Sequence, residues 1–404
     1  MKVAIIGAGA SGCFIAANLP SSPSLNVTIY EKSNKPLQKV LVSGGGRCNV
    51  THASFEVDEL LNKYPRGKTL LKKTLHRFGP KQTIEWFENR GIKIKKEDDG
   101  RMFPVSDDSH TIIDCLLSEI KKNNANIIYQ KGVISISRDE KEFTIVFNDH
   151  TETTADKVII ATGGFPKKEQ YRWIEKLGHS IEVPVPSLFT FNIPNHPIHN
   201  LMGVSVPEVV VKIGGTKIME SGPLLITHWG FSGPAVLKAS AKGARELHDV
   251  EYQFSIFINW LGKPTEEELK KHISEIRQKN GKQLIGGKNP FELPKRLWEY
   301  FLHTLQISSD IQWGNLSASQ QNKLIQTLIA DRYDIQGKTT FKEEFVTCGG
   351  IKLNEINPAT MESRLVKGLY FAGEILNVDG ITGGFNFQHA WSSGWIIAES
   401  IKNE

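Results

Sequence analysis

The stretch MKVAIIGAGASGCFIAANLPSSPSLNVTIYE, residues 1–31, decides the fold. Val3 to Ile6 form an apolar run of strand length, Gly7, Gly9 and Gly12 follow in the spacing G-x-G-x-x-G, and Ala10 to Leu19 reads as a helix. Strand, tight turn and helix open a dinucleotide-binding unit. The first glycine allows the turn, the second lets a pyrophosphate approach the backbone, and the third lets the helix pack closely on the strand. Gly7, Gly9, Ala10, Ser11 and Gly12 are therefore candidate cofactor contacts. The anion would sit on the helix N-terminus, where unpaired N–H groups and the macrodipole favour negative charge. A second apolar run, Val27 to Tyr30, ends in Glu31, nineteen residues after Gly12. A carboxylate there accepts hydrogen bonds from ribose hydroxyls and repels a 2′-phosphate, so an ADP-like half is expected, with Lys32 beside it. A glycine-rich turn in any doubly wound domain shares part of this pattern, and the motif does not separate FAD from NAD.

Composition sets the outer limits. The chain has 404 residues, 39% of them hydrophobic, which is enough for two domains or more, because single cores rarely grow beyond about 250 to 300 residues. The formal charge of +5 reads as a small excess spread along the sequence, including solvated runs such as Lys93 to Lys96, and not as a nucleic-acid footprint. Cys13, Cys48, Cys115 and Cys348 are far apart, with neither C-x-x-C nor zinc-ligand spacing, so thiols in a reducing compartment and no metal site are expected. A strand starting at Lys2 leaves no room for a signal peptide, and no apolar run approaches the ~18 to 20 residues that span a bilayer. A soluble, cytoplasmic protein is the expectation.

Outward from residue 31, the second informative stretch is Lys39-Val-Leu-Val-Ser-Gly-Gly-Gly-Arg-Cys-Asn49. Three glycines before Arg47 can present a row of backbone N–H groups with a guanidinium, the chemistry of a phosphate or carboxylate clamp, although a flexible surface loop is the plainer alternative. Cys48 is either an activated thiol or a packed, inert one. Phe55 to Gly91 has helical periodicity broken by Pro65 and Gly79-Pro80, and Asp107 or Asp108 caps a helix reaching about Asn123. Strands follow at 126–129, 133–137, 143–147 and 158–161, the last ending in Ala161-Thr-Gly-Gly164, where open α/β sheets place their ligands.

The middle of the chain differs. Residues from about 180 to 260 are β-rich and enclose Thr227-His-Trp-Gly-Phe-Ser-Gly-Pro234. From Thr265 to about Asp334 the periodicity is helical, opened by a capping box between Thr265 and Glu268. The α/β pattern returns in the strand 368–372, which finishes in Gly373-Glu374. A loop through Asp379-Gly-Ile-Thr-Gly-Gly384 then leads into a helix from about Asn386 to Ile401. This second helix start suits the negative charge of a reduced flavin. The expected organisation is a nucleotide-binding domain of residues 1–185 and 345–404, a β-rich insertion at 186–262 and a helical insertion at 263–344.

Taken together, GAGASG at 7–12, SGGGRCN at 43–49, GRMFPVSD at 100–107, ATGG at 161–164, THWGFSGPA at 227–235 and GLYFAGEILNVDGITGGFNFQHA at 368–390 resemble a bacterial family of NAD(P)/FAD-dependent oxidoreductases. That family includes aminoacetone oxidases and dehydro-bile-acid reductases, and the resemblance spans nearly the whole chain. It implies a Rossmann-like FAD domain of the glutathione-reductase type with an inserted β-barrel-like domain and a helical domain. By the same resemblance Glu31 would hold the adenosine ribose, and Lys39 and Ser43, Gly44, Gly45, Gly46, Arg47, Cys48 and Asn49 would line the pyrophosphate and flavin. Val133 would meet the adenine, and Ala161, Thr162 and Gly163 would lie by the ADP half. Gly373, Glu374, Asp379, Gly383, Gly384, Phe385, Asn386 and Phe387 would hold the ribityl chain and pyrimidine edge. The chain departs from the family pattern at Asn377, at His52, and after ATGG, where Phe-Pro-Lys-Lys-Glu follows directly.

The expected activity is hydride transfer between flavin N5 and a small organic substrate, with the flavin reduced by NAD(P)H or reoxidised by oxygen. A single G-x-G-x-x-G leaves NAD(P)H to bind transiently, and the absence of paired redox cysteines argues against a dithiol relay. His228 and His389 are the candidate acid or base and Arg47 the candidate anion or flavin contact, against the plainer reading of structural histidines. The alternatives are a peroxide-producing amine oxidase, an RNA-modifying flavoprotein and a non-catalytic flavin-binding protein. The charge pattern speaks against nucleic acid as a partner, and the oligomeric state is open.

Overall fold

The computed structural model describes residues 1–339 and 346–403. The expected boundary at 344/345 lies outside them. The chain forms two compact units, Met1–Ser187 with Phe341–Glu404, and Leu188–Thr340.

The first unit is built on β1 (Lys2–Ile6), α1 (Ala10–Asn18), β2 (Asn26–Tyr30), α2 (Lys68–Arg77), α3 (Pro80–Glu88), β3 (Asn126–Ile128), β4 (Lys157–Ile160), β5 (Leu369–Phe371) and α4 (Phe385–Lys402). The strands form one parallel sheet in the order β5-β4-β1-β2-β3. Its central strands are covered on both faces, so Val3 to Ile6 and Val158 to Ile160 are continuous apolar runs without alternation. The register sets Ile6 beside Tyr30 on one side and Ile160 on the other. From β1 the chain winds one way through β2, and β4 lies on the other side. The carboxyl end of β1 is thus the switch point, where such sheets open a ligand crevice. α1 and α4 both pack here, with Phe14 of α1 at 5.1 Å from Trp391 of α4. Val133–Arg138, Phe143–Phe147 and Glu152–Ala155 form the expected small antiparallel excursion.

The second unit carries an antiparallel seven-stranded sheet. Its helices include Glu266–Asn280, Lys295–Thr304 and Ala318–Ala330. The β-rich and helical stretches, expected as two insertions, share one hydrophobic core in which Ile256 and Ile258 of the sheet pack with Leu297, Phe301 and Leu324. The capping box is present, with Glu268 Oε2 accepting from Thr265 N at 2.7 Å. The helical reading to Asp334 overran: Asp331–Gln336 is a strand paired with Gln253–Asn259. Its alternation buries Tyr333 and Ile335, a period-two signal that the preceding helical periodicity masked.

Candidate functional site

The crevice at the end of β1 is shaped by steric necessity. Gly7 has φ +107°, and a Cβ there would lie 2.6 Å from the Ala161 carbonyl oxygen. A Cβ at Gly12 would lie 2.0 Å from the Gly7 carbonyl oxygen. Both positions admit only glycine. At Gly9, the N-cap of α1, a Cβ would meet nothing closer than Ala161 O at 4.0 Å, and no side chain caps the helix. The first amides of α1, Ala10 and Ser11 among them, are therefore open to an anion. Glu31, at the end of β2, accepts from Ala8 N at 2.8 Å and Ser33 N at 2.9 Å, which fixes its carboxylate beside the glycine turn. Lys32 lies 6.0 Å from the Phe165 ring.

The stretch 43–49 forms a second wall. Gly44, Gly45 and Gly46 all have positive φ, and a Cβ on Gly45 or Gly46 would meet nothing within 4 Å, so the backbone faces open space. Gly163, after β4, is left-handed and equally open, next to Thr162 and Ala161. Lys39 Nζ pairs with Glu374 Oε2 at 2.8 Å, and the other Glu374 oxygen accepts from Thr347 N at 3.0 Å. Thr347 Oγ1 is buried and has no hydrogen-bond partner among the described residues. Val133 lies on the antiparallel excursion, opposite Phe147.

The third wall is the loop into α4. Gly384, its N-cap, has φ +90° and no side-chain cap. Asn49 is buried and, with its amide turned to satisfy both ends, accepts from Gly384 N at 3.0 Å and donates to Thr51 O at 2.9 Å. Asn386 bonds both polar groups of Gly380, at 2.8 and 3.0 Å. Tyr64 donates to Phe385 O at 2.7 Å. Phe385 is buried and stacks on His52, and Phe387 stacks on Trp391. Gly383 also has positive φ.

Several expected contacts are committed to the protein. Asp379 is fully buried, its carboxylate taken by a bidentate pair with Arg66 and by the Ser187 hydroxyl at 2.8 Å. The Arg47 guanidinium is paired with Glu97 at 2.6 Å and Asp107 at 3.5 Å and lies 4.0 Å over Phe103, so it braces the glycine loop. Cys48 is fully buried, and burial pushes its thiol up to about 12, which removes the activated-thiol alternative. His389 is 2% exposed with Nε2 donating to Gly373 O at 3.2 Å, and burial lowers its pKa to about 4. It is a neutral tie, because its charged form is desolvated. Gly373 N in turn donates to Ser393 Oγ at 3.0 Å. His228 lies in the second unit, exposed, with its ring edge against Trp229 at 4.2 Å. Phe231 is core there.

The residues that sequence reasoning missed are Tyr64 and Arg66. Pro65 stands there as a mere helix breaker, and nothing local signals that they meet residues more than 300 positions away. Another cluster has the order of a hydrolytic triad: Glu355 accepts from His179 Nδ1 at 2.9 Å, and Ser363 Oγ donates to His179 Nε2 at 2.9 Å. The Ser363 oxygen is already taken by Leu365 N and Val366 N, so it anchors a turn.

The open glycines, the two uncapped helix starts and the fixed carboxylate of Glu31 fit a flavin dinucleotide, and the class is that of the FAD-dependent oxidoreductases with a Rossmann-type nucleotide domain. Residues 1–400 match the family described as HI0933-like protein Rossmann domain, and the chain belongs to it. It is 33% identical to the ribosomal RNA dihydrouridine synthase of Escherichia coli strain K12, over 98% of this chain and 97% of that protein. It is 27% identical to the 3-dehydro-bile acid delta(4,6)-reductase of Clostridium scindens, over 99% and 98%. Among solved structures, the 3-ketosteroid-delta4-(5alpha)-dehydrogenase of Rhodococcus jostii RHA1 shares the fold, with a TM-score of 0.52 at 11% identity over 98% of this chain and 97% of that one. Among the described residues no helix is long and apolar enough to cross a membrane.

Proposed function

We propose that this protein is a flavin-dependent reductase of a carbon–carbon double bond conjugated to a carbonyl, and that its substrate is a uracil base in ribosomal RNA. The observation that carries the reading is end-to-end similarity to two proteins whose names describe one kind of chemistry. Dihydrouridine is uridine with C5=C6, conjugated to the C4 carbonyl, saturated; a delta(4,6)-reductase of a 3-oxo steroid acts on double bonds conjugated to a ketone. The ribosomal RNA relatives, at 33% and 31% identity, favour the uracil over the steroid. On this reading a nucleic acid is the partner, against the charge pattern and the expected small-molecule substrate, and reduction is favoured over the amine-oxidase alternative.

FAD, when bound and reduced, would supply a hydride from N5. The chain's own residues position it. The amides of Gly9 to Gly12 would receive the pyrophosphate, Glu31 the ribose hydroxyls, and the backbone of Gly44 to Gly46 and Gly383 to Phe387 the flavin. In the proposed reaction the uracil would gain a hydride at C6 and a proton at C5, with NAD(P)H as the source of the two electrons. His389, neutral and buried, holds Gly373 in place and is not the proton source. Exposed His228 is the remaining candidate from the sequence, and a cytoplasmic location accompanies the reading.

The test is anaerobic. Purified protein is scanned for oxidised-flavin absorbance, titrated with NADH and NADPH, and incubated with deproteinised ribosomal RNA, which is then digested and analysed by mass spectrometry. Bleaching by a nicotinamide and formation of dihydrouridine are expected. A flavin that no nicotinamide reduces, or RNA without dihydrouridine, overturns the proposal.

A further inference from the structure

The charge is uneven along the chain, with a basic segment bounded by Glu56, Asp58 and Glu59 on one side and Glu97, Asp98 and Asp99 on the other. Residues 60–96 hold eleven lysines and arginines against two glutamates, a formal +9, so the remaining residues together carry −4. In the first unit this segment becomes α2, α3 and the strand Ile94–Lys96. α2 buries Leu70, Leu71, Thr74 and Leu75. Its outer face is left with Lys68, Lys72 and His76 one turn apart, and Lys73 and Arg77 alongside. Lys72 pairs with Asp58 at 3.2 Å across two exposed side chains, while Lys68 and Lys73 have no ion pair among the described residues. No carboxylate lies on α2 itself.

The inner end of this basic face touches the cofactor loop. Gly67 packs on Val378, Lys63 O accepts from Ile381 N at 2.9 Å, and Tyr64 and Arg66 hold Phe385 and Asp379. Past its outer end, a groove of about 540 Å³ is lined by Arg77, Gln82 and Trp395, with the carboxylates of Glu85 and Glu119 also on its wall. Trp395 is half-exposed there and stacks on Phe78 at 4.8 Å, with Lys402 5.5 Å from its ring. Cations in a row with an aromatic face at one end are what a nucleic-acid backbone and an unstacked base require.

We infer that α2 is the RNA-docking surface: phosphates of the substrate RNA lie along Lys68, Lys72 and Lys73, and the strand is led along the helix to the loop Val378–Phe385, where the reacting base is reduced. This rests on the proposed uracil reduction. α2 is roughly 15 Å long, enough for several phosphates and too short for a whole substrate, so it directs the strand near the site.

The experiment compares wild type, Lys68→Gln/Lys72→Gln/Lys73→Gln, and a charge-matched control, Lys270→Gln/Lys271→Gln/Lys279→Gln, on a helix of the second unit. The probe is fluorescently labelled, deproteinised ribosomal RNA, titrated across a range of salt concentrations. The α2 variant should bind at least about tenfold more weakly at physiological salt, with a log K against log salt slope shallower by about 2, since each lost contact to single-stranded RNA removes about 0.7. Its flavin content and melting temperature should equal those of wild type, and the control should bind as wild type does. Unchanged affinity and slope in the α2 variant overturn the inference, as does an equal loss in the control. Binding to phosphatidylserine vesicles in preference to RNA overturns it too. Wild type that forms dihydrouridine while the α2 variant binds RNA normally sinks the docking surface alone. Wild type that neither binds RNA nor forms dihydrouridine sinks the proposed function.

Discussion

The two glycine-rich helix starts of the first unit are built in opposite ways. The start of α1 is shaped chiefly by its immediate neighbours: Gly7, Gly12, Ala8 and Glu31 all lie in one stretch, joined by Ala161 and Thr162 just after the adjoining strand and by Gly373 and Gly394 against Ser11. The start of α4 is held by residues remote in sequence. Arg66 and Ser187 fix Asp379, Tyr64 fixes Phe385, and Asn49 fixes Gly384. The first is a motif because its constraints are steric and local. The second is an assembly of side-chain bonds, and its geometry depends on the rest of the unit being folded.

That contrast is open to direct test. The largest effect is expected from Gly12→Val, whose Cβ would lie 2.0 Å from the Gly7 carbonyl oxygen. No relaxation short of moving α1 off the sheet accommodates it, so the variant should yield no soluble protein carrying flavin; recovery of flavin at the wild-type ratio would show that the first start is not sterically fixed. Next, Arg66→Met leaves the buried Asp379 carboxylate without its cation, which should cost about 3 to 5 kcal/mol in urea unfolding. Adding Asp379→Asn should restore much of it. A loss below about 1 kcal/mol would mean that the second start stands without its remote brace.

His389 gives the comparison a pH dependence. Its folded pKa of about 4 lies below the ordinary value of 6.5, so the neutral form is favoured by folding and the stability it contributes is present above about pH 6.5. That stability is lost as pH falls toward 4, with a limit of roughly 3 kcal/mol. Urea midpoints measured between pH 7 and pH 4 should fall in wild type and be flatter in His389→Gln; parallel profiles would remove the tie to Gly373. The smallest effect is expected from Tyr64→Phe, which deletes one hydrogen bond to Phe385 O and should destabilise by about 1 kcal/mol while slightly weakening flavin retention. Stability equal to wild type would show that Asn49 and Arg66 suffice.

Much of the fold was legible. The parallel strands, the antiparallel excursion, the capping box at Thr265 and both glycine-rich helix starts follow from period, turn chemistry and spacing. One misreading and one hidden pairing have physical causes. The strand Asp331–Gln336 carries a helical signal locally because it continues directly from a helix and its partner strand lies about 75 residues earlier. The pairing of Arg47, a candidate anion or flavin contact, is not visible locally because Glu97 and Asp107 lie 50 and 60 positions further along the chain.

By itself the sequence determined the strand, the glycine turn and the helix that open the chain, and the acid that ends β2, because spacing and turn chemistry are local. It also determined the uneven distribution of charge, which is a matter of counting. Only the tertiary structure decided which polar groups remain available. Burial turned Cys48 and His389 into inert packing and a neutral tie, pairing consumed Arg47 and Asp379, and folding brought the basic face of α2 up to the loop that begins α4. Availability depends on desolvation and on partners from distant segments, and neither is written in local spacing.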